Sequence, residues 1–171
     1  VMDYNDLRYN LDKIKYIDIL VNNAGTNIPE PFEQIKQSSM NYLVDLNLKA
    51  AFNVAQLVVK KMLTNKKKGG SIINMGATSR MIGQGGMPCY TTAKSAVQGL
   101  TRGLARDLGP DNIRVNAVIP GWIMTQRQID MWLTEESEKE LMQRQCVKRK
   151  LIPEDIARFV LFMDSEEAGA C

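Results

Sequence analysis

The chain contains no histidine. That removes every histidine general base, every Ser–His–Asp arrangement and every imidazole metal ligand. Cysteine is scarce. Cys89, Cys146 and Cys171 are odd in number and form no CxxC, so neither a disulfide framework nor a metal site is expected, and a reducing, cytoplasmic setting fits best. Aromatic residues make up 6%, and the net charge is only +3, from 22 basic and 19 acidic side chains dispersed along the chain. A nucleic-acid module needs a clustered basic face with stacking aromatics, so no nucleic-acid partner is expected. The triplet Lys66-Lys67-Lys68 before Gly69-Gly70 reads as a solvated loop. No apolar run approaches the ~18 residues of a membrane span, and no signal peptide is visible. The first residue is valine rather than methionine, a hint that the start is missing.

What is present is an ordinary globular balance, 44% hydrophobic and 24% charged over 171 residues, enough for one domain. "IDILVNNAG", "SIINM" and "IRVNAVIPG" are short β-branched runs that end in turn residues, which reads as three buried strands. Helical periods lie between and after them: Ser39 to about Lys61, Tyr90 to Leu108 with a stop at Gly109-Pro110, Gln126–Trp132, Glu135–Val147, and about Pro153 to Met163. Uniformly apolar strands alternating with helices imply an α/β fold, a parallel sheet with helices on both faces. Ligands of such sheets bind beyond the carboxyl ends of the strands. Asn22-Asn23-Ala24-Gly25, Gly76 to Ser79 and Pro120-Gly121-Trp122 stand there.

Tyr90 and Lys94 are four residues apart on one helical period and project from one face. A neighbouring ammonium favours the phenolate and lets a tyrosine accept a proton nearer neutral pH. Such spacing is common on helix surfaces and says little alone. Asn47 falls on an apolar stripe between Leu43 and Ala50; by itself it reads as a satisfied core amide, and the glycine turns by themselves read as turn chemistry.

Taken together and in this order, "NNAG", "YTTAK" and "VNAVIPGWIMT" resemble the short-chain dehydrogenase/reductase family over nearly the whole chain. The resemblance implies a Rossmann-like sheet and transfer of a hydride between NAD or NADP and an alcohol. It makes Tyr90 the general acid/base, Lys94 the residue that lowers its pKa and holds the ribose, and Asn47 the orderer of a relay water. It sets Asn23, Ala24, Gly25, Pro120 and Gly121 along the cofactor, and Ile123 and Thr125 at its carboxamide. "PGWIMTQRQIDMWLTEE" and "QCVKRKLIPEDIARFVLFMDSEEA" are similar to the sugar-oxidising aldose 1-dehydrogenases, which implies a sugar or secondary alcohol as substrate. The family commonly pairs subunits through the helix that here carries Ala96, Gly99 and Gly103, so a homo-dimer or homo-tetramer is expected.

Two departures qualify this. The family's glycine-rich phosphate turn is absent, and "IGQGG" at Ile82–Gly86 follows the wrong strand and reads as a loop. Val1 aligns with the end of the family's third strand, beside the cofactor, and Ala168-Gly169-Ala170-Cys171 stops before the final one. The expectation is a single partial domain, residues 1–171, lacking the first strands and the last strand. The second departure is Ala77, thirteen positions before Tyr90 where the family carries serine. In an extended segment Ser79 would share the face of Ala77 and substitute for the missing hydroxyl. Ala77, Ser79, Met87, Trp122, Gln126 and Arg127 are the expected substrate contacts. The alternative is a catalytically impaired fragment that only folds and self-associates.

Overall fold

In a computed structural model that describes residues 1–65 and 69–171, the three apolar runs form one parallel sheet in the order β1 (Ile19–Asn22), β2 (Gly70–Met75), β3 (Ile113–Val118). Val21 stands beside Ile73, and Ile73 beside Asn116. The lysine triplet read above as a loop lies outside the described residues. β2 is the middle strand, and its Ile72 and Ile73 are wholly buried. Successive side chains of a strand point to opposite faces. Ile72 packs with Val58 and Met62 of α3 (Ala50–Thr64). The Ser71 hydroxyl, on the other face, bonds Asp164 at the end of α7 (Pro153–Asp164). Helices therefore cover both faces, as an all-parallel sheet requires. Leu104 and Leu108 of α4 (Pro88–Leu108) join α3 on the first face.

One helix was not expected. Tyr4–Asp12 forms α1, started by the Asp3 carboxylate, which accepts from the Asp6 N–H at 2.9 Å. It packs on α3 but buries no residue fully, so its apolar period is faint. The long period after β1 is α2 (Gln37–Val44) running through a π-turn, Asp45–Lys49, into α3. The Ala50 N–H reaches the Asp45 carbonyl, five residues back. The stretch expected from Glu135 to Val147 is the shorter α6 (Glu135–Arg144), following α5 (Gln126–Trp132). The Lys148 ammonium folds back onto the carbonyls of Met142 and Gln145 at 2.7 and 2.6 Å and ends it. A cation there also suits the helix dipole.

Beyond the strands, the Gly76 N–H donates to the Val118 carbonyl (2.8 Å) and the Thr78 N–H to the Pro120 carbonyl (3.1 Å). These two bonds carry the ladder past the sheet and hold the exits of β2 and β3 side by side. Among the described residues no helix is long and apolar enough to cross a membrane.

Candidate active site

The three strand exits and two helices enclose a cleft of about 230 Å³. Asn23, Gly25, Thr26 and Asn27 come from the exit of β1. Met75, Gly76 and Ala77 come from β2 and its exit, and Pro120 and Gly121 from that of β3. Tyr90 and Lys94 reach it from the first two turns of α4, and Arg127, Gln128 and Trp132 cover it from α5.

Pro88 starts α4 with the fixed φ that suits a first helical position. Tyr90 and Lys94 follow on the face turned to the sheet. Lys94 is 5% exposed. Its ammonium donates to the Met75 carbonyl at 2.8 Å and lies 5.8 Å from the centre of the Tyr90 ring. Burial disfavours both charged forms. It draws Lys94 down to about 8 and pushes the Tyr90 phenol above its ordinary 10. This differs from the sequence expectation that the lysine simply lowers the tyrosine's pKa: desolvation is the cause that acts on both groups here.

Asn47 is 2% exposed and sits within the π-turn. Its amide donates to the carbonyls of Thr26 and Leu43, both at 2.9 Å, and its oxygen accepts from the Thr26 N–H at 3.2 Å. The side chain is committed to holding the β1 exit and does not reach the cleft wall. Gly25 shows how tight this junction is. A Cβ there would stand 2.7 Å from the Asn47 amide oxygen and 3.4 Å from the Lys94 nitrogen.

Ala77 does line the cleft, in an extended conformation. Ser79 does not share its face, because Thr78–Arg80 coil into a single 3₁₀ turn and the alternation assumed for an extended segment fails. The Ser79 hydroxyl is buried without a hydrogen-bond partner among the described residues.

The other expected residues divide. Asn23, Gly25, Pro120, Gly121 and Arg127 are in the wall. Ala24 instead lines a smaller hollow with Val1, about 90 Å³, beside β1. Ile123 bridges to Leu151, and the Thr125 hydroxyl caps α5 by accepting from the Gln128 N–H; neither lines the cleft. Trp122 does not line it and donates its indole N–H to the Gln128 amide oxygen at 2.7 Å. Met87 accepts from the Asn27 amide at 3.7 Å. Gln126 is exposed and bonds Asp130. Thr26, Asn27, Met75, Gln128 and Trp132 were not anticipated. The i,i+4 spacing of Gln128 and Trp132 beside Arg127 was the signal available for the last two.

The family model described as enoyl-(acyl carrier protein) reductase matches residues 8–171. A probable galactose dehydrogenase of Rhizobium meliloti is 39% identical over 92% of this chain and 61% of its own length. D-Xylose 1-dehydrogenase of Caulobacter vibrioides is 38% identical over 91% of this chain and 61% of its own. The crystal structure of a gluconate 5-dehydrogenase from Burkholderia cenocepacia, in complex with NADP and tartrate, superimposes with a TM-score of 0.91 at 26% identity, over 98% of this chain and 67% of that one. The chain thus spans about three fifths of the length of the curated relatives it matches. By its matched model, its parallel fold and these likenesses, the chain belongs to the short-chain dehydrogenase/reductase family.

Proposed function

We propose that the protein is an NAD(P)-dependent oxidoreductase that oxidises a sugar or a secondary alcohol. The observation that carries this is the wall of the cleft: among the described residues its ionisable side chains besides Arg127 are Tyr90, half-buried, and Lys94, buried, side by side at the carboxyl ends of a parallel sheet.

The residues fit the nicotinamide and ribose end of the cofactor. Gly25 and Gly121 bring bare backbone to the cleft, and the Lys94 ammonium has spent one donor on Met75, which leaves others for ribose hydroxyls. Gly25 also leaves free the space that a methyl would take from Asn47 and Lys94. A bound nicotinamide would supply the acceptor for the hydrogen that leaves carbon with its electron pair. The carbinol O–H proton passes to the Tyr90 oxygen, and the C–O bond becomes a carbonyl, a lactone if the carbon is anomeric. Lys94 stabilises the phenolate by its charge. Asn47 acts through the loop it holds at Thr26, which keeps the opposite wall in place.

Ala77 supports a slower enzyme rather than an inert one. It brings no donor to the reacting oxygen, and loss of one preorganised donor costs on the order of 10²–10³ in rate.

The test is oxidation by the natural full-length product of D-galactose, D-xylose and a simple secondary alcohol with NAD⁺ and NADP⁺. The expected result is reduced nicotinamide accumulating with one equivalent of lactone or ketone. No reduced nicotinamide with any pair overturns the proposal.

A further inference from the structure

Arg127 is the feature of the cleft that proton transfer leaves unused. Its Nη1 donates to the Thr26 hydroxyl at 2.6 Å, and its Nη2 to the Asn27 carbonyl at 3.5 Å. Its guanidinium lies 5.6 Å from the centre of the Trp132 ring. All three neighbours are uncharged, and among the described residues no carboxylate pairs with it. The wall holds a second cation, Lys94, and no aspartate or glutamate at all. A guanidinium has five N–H donors in a fixed fork. Two are spent on fixing its position, and the rest remain for a ligand. An exposed arginine on a helix commonly finds an acid on its own or a neighbouring turn. Here Asp130 is the carboxylate on α5, and it is taken by Gln126 at 2.7 Å. The fork is held in place by neutral groups and left without its complementary charge.

We infer that Arg127 recognises a carboxylate on the substrate, so that the preferred substrate is an acidic sugar rather than a neutral one. The inference rests on the cleft being the substrate site proposed above. The planar fork matches a carboxylate through two parallel bonds, whereas a sugar hydroxyl engages it singly. The bonds to Thr26 and Asn27 set the fork before a ligand arrives, which limits the ordering that binding demands.

D-Galacturonate and D-galactose test this, since they differ only by a carboxylate in place of a primary alcohol. Initial rates are measured for both with the natural full-length product and with Arg127→Gln and Arg127→Lys. The expected result is a kcat/KM favouring the acid by about tenfold to a hundredfold, the range for a hydrogen bond to a charged group. Arg127→Gln should bring that ratio to about one, chiefly by raising KM for the acid, and Arg127→Lys should keep part of it. A purely structural arginine would lower both sugars alike and leave the ratio unchanged, and one that served the cofactor phosphates would raise KM for NAD(P); either result overturns the inference. Equal turnover of the two sugars by the unaltered protein overturns it alone, while no turnover of either sugar or any alcohol overturns the functional proposal and this inference with it.

Discussion

Lys94 is a residue whose function and stability pull apart. Its folded pKa of about 8 lies below the ordinary 10.5, so between those values the unfolded chain holds a proton that the folded chain has released. Stability therefore rises with pH across that window, by about 3 kcal/mol at 1.36 kcal/mol per unit. Tyr90, pushed above 10, acts oppositely: its contribution is present below 10 and lost as pH rises through its folded value. Urea unfolding at pH 8 and pH 10 should show the gain in the unaltered chain and its absence in Lys94→Met, which has no charge to bury. Ala77→Ser is the second prediction at this scale. In the natural full-length product it should raise kcat by about 100- to 1000-fold, while Ser79→Ala, which alters a hydroxyl outside the cleft wall, should change it less than about twofold. The pair itself was legible because helical spacing fixes two side chains on one face whatever the tertiary fold. Ser79 misled because its position depends on a local turn, Thr78–Arg80, that no periodicity announces. Arg127 was legible only as a substrate contact, and its neighbours Gln128 and Trp132 were hidden because their approach to the cleft is set by how α5 docks.

At the scale of elements, the π-turn is the device that matters. A π-turn is an irregularity that concentrates at functional sites, and here it presents Asn47 to the β1 exit so that one amide satisfies both the N–H and the C=O of Thr26. Gly25→Ala would put a methyl 2.7 Å from that amide oxygen. The Asn47–Thr26 pairing has to open, at an expected cost of about 1–3 kcal/mol. A thermal melt should fall accordingly, and Thr26 amide exchange should quicken. An unchanged melt with unchanged Thr26 protection would contradict the clamp. The sequence marked α2 and α3 as one period, 39 to 61, but could not show the extra residue in the turn, since a π-turn rotates the apolar stripe without interrupting it. The strands, α4, α5 and α7 were readable from their runs and stop residues. α1 was not, because a helix that buries nothing fully has no clean stripe to read.

At the scale of the whole molecule, the sheet has a middle strand buried on both faces and an outer strand, β1, whose Ile19 and Val21 are 50% and 40% exposed. Among the described residues no strand pairs with the outer edge of β1. Gly99 and Gly103 face open space, since a Cβ added to either meets nothing within 4 Å, so they do not pack against their own sheet. An unpaired edge and exposed apolar surface favour association. The 171-residue chain is expected to sediment as a dimer or larger species at high concentration, and a clean monomer would count against this. The central claim is that the Tyr90–Lys94 pair moves the substrate proton, and the pH–rate profile of oxidation tests it most directly, run on the natural full-length product and on Tyr90→Phe and Lys94→Met. The account predicts a rate that rises with pH as Tyr90 loses its proton beside Lys94, a shift of that rise upward by more than about one unit in Lys94→Met, and a loss of about 10²–10⁴-fold in Tyr90→Phe at every pH. Turnover that survives Tyr90→Phe with the same profile would contradict it.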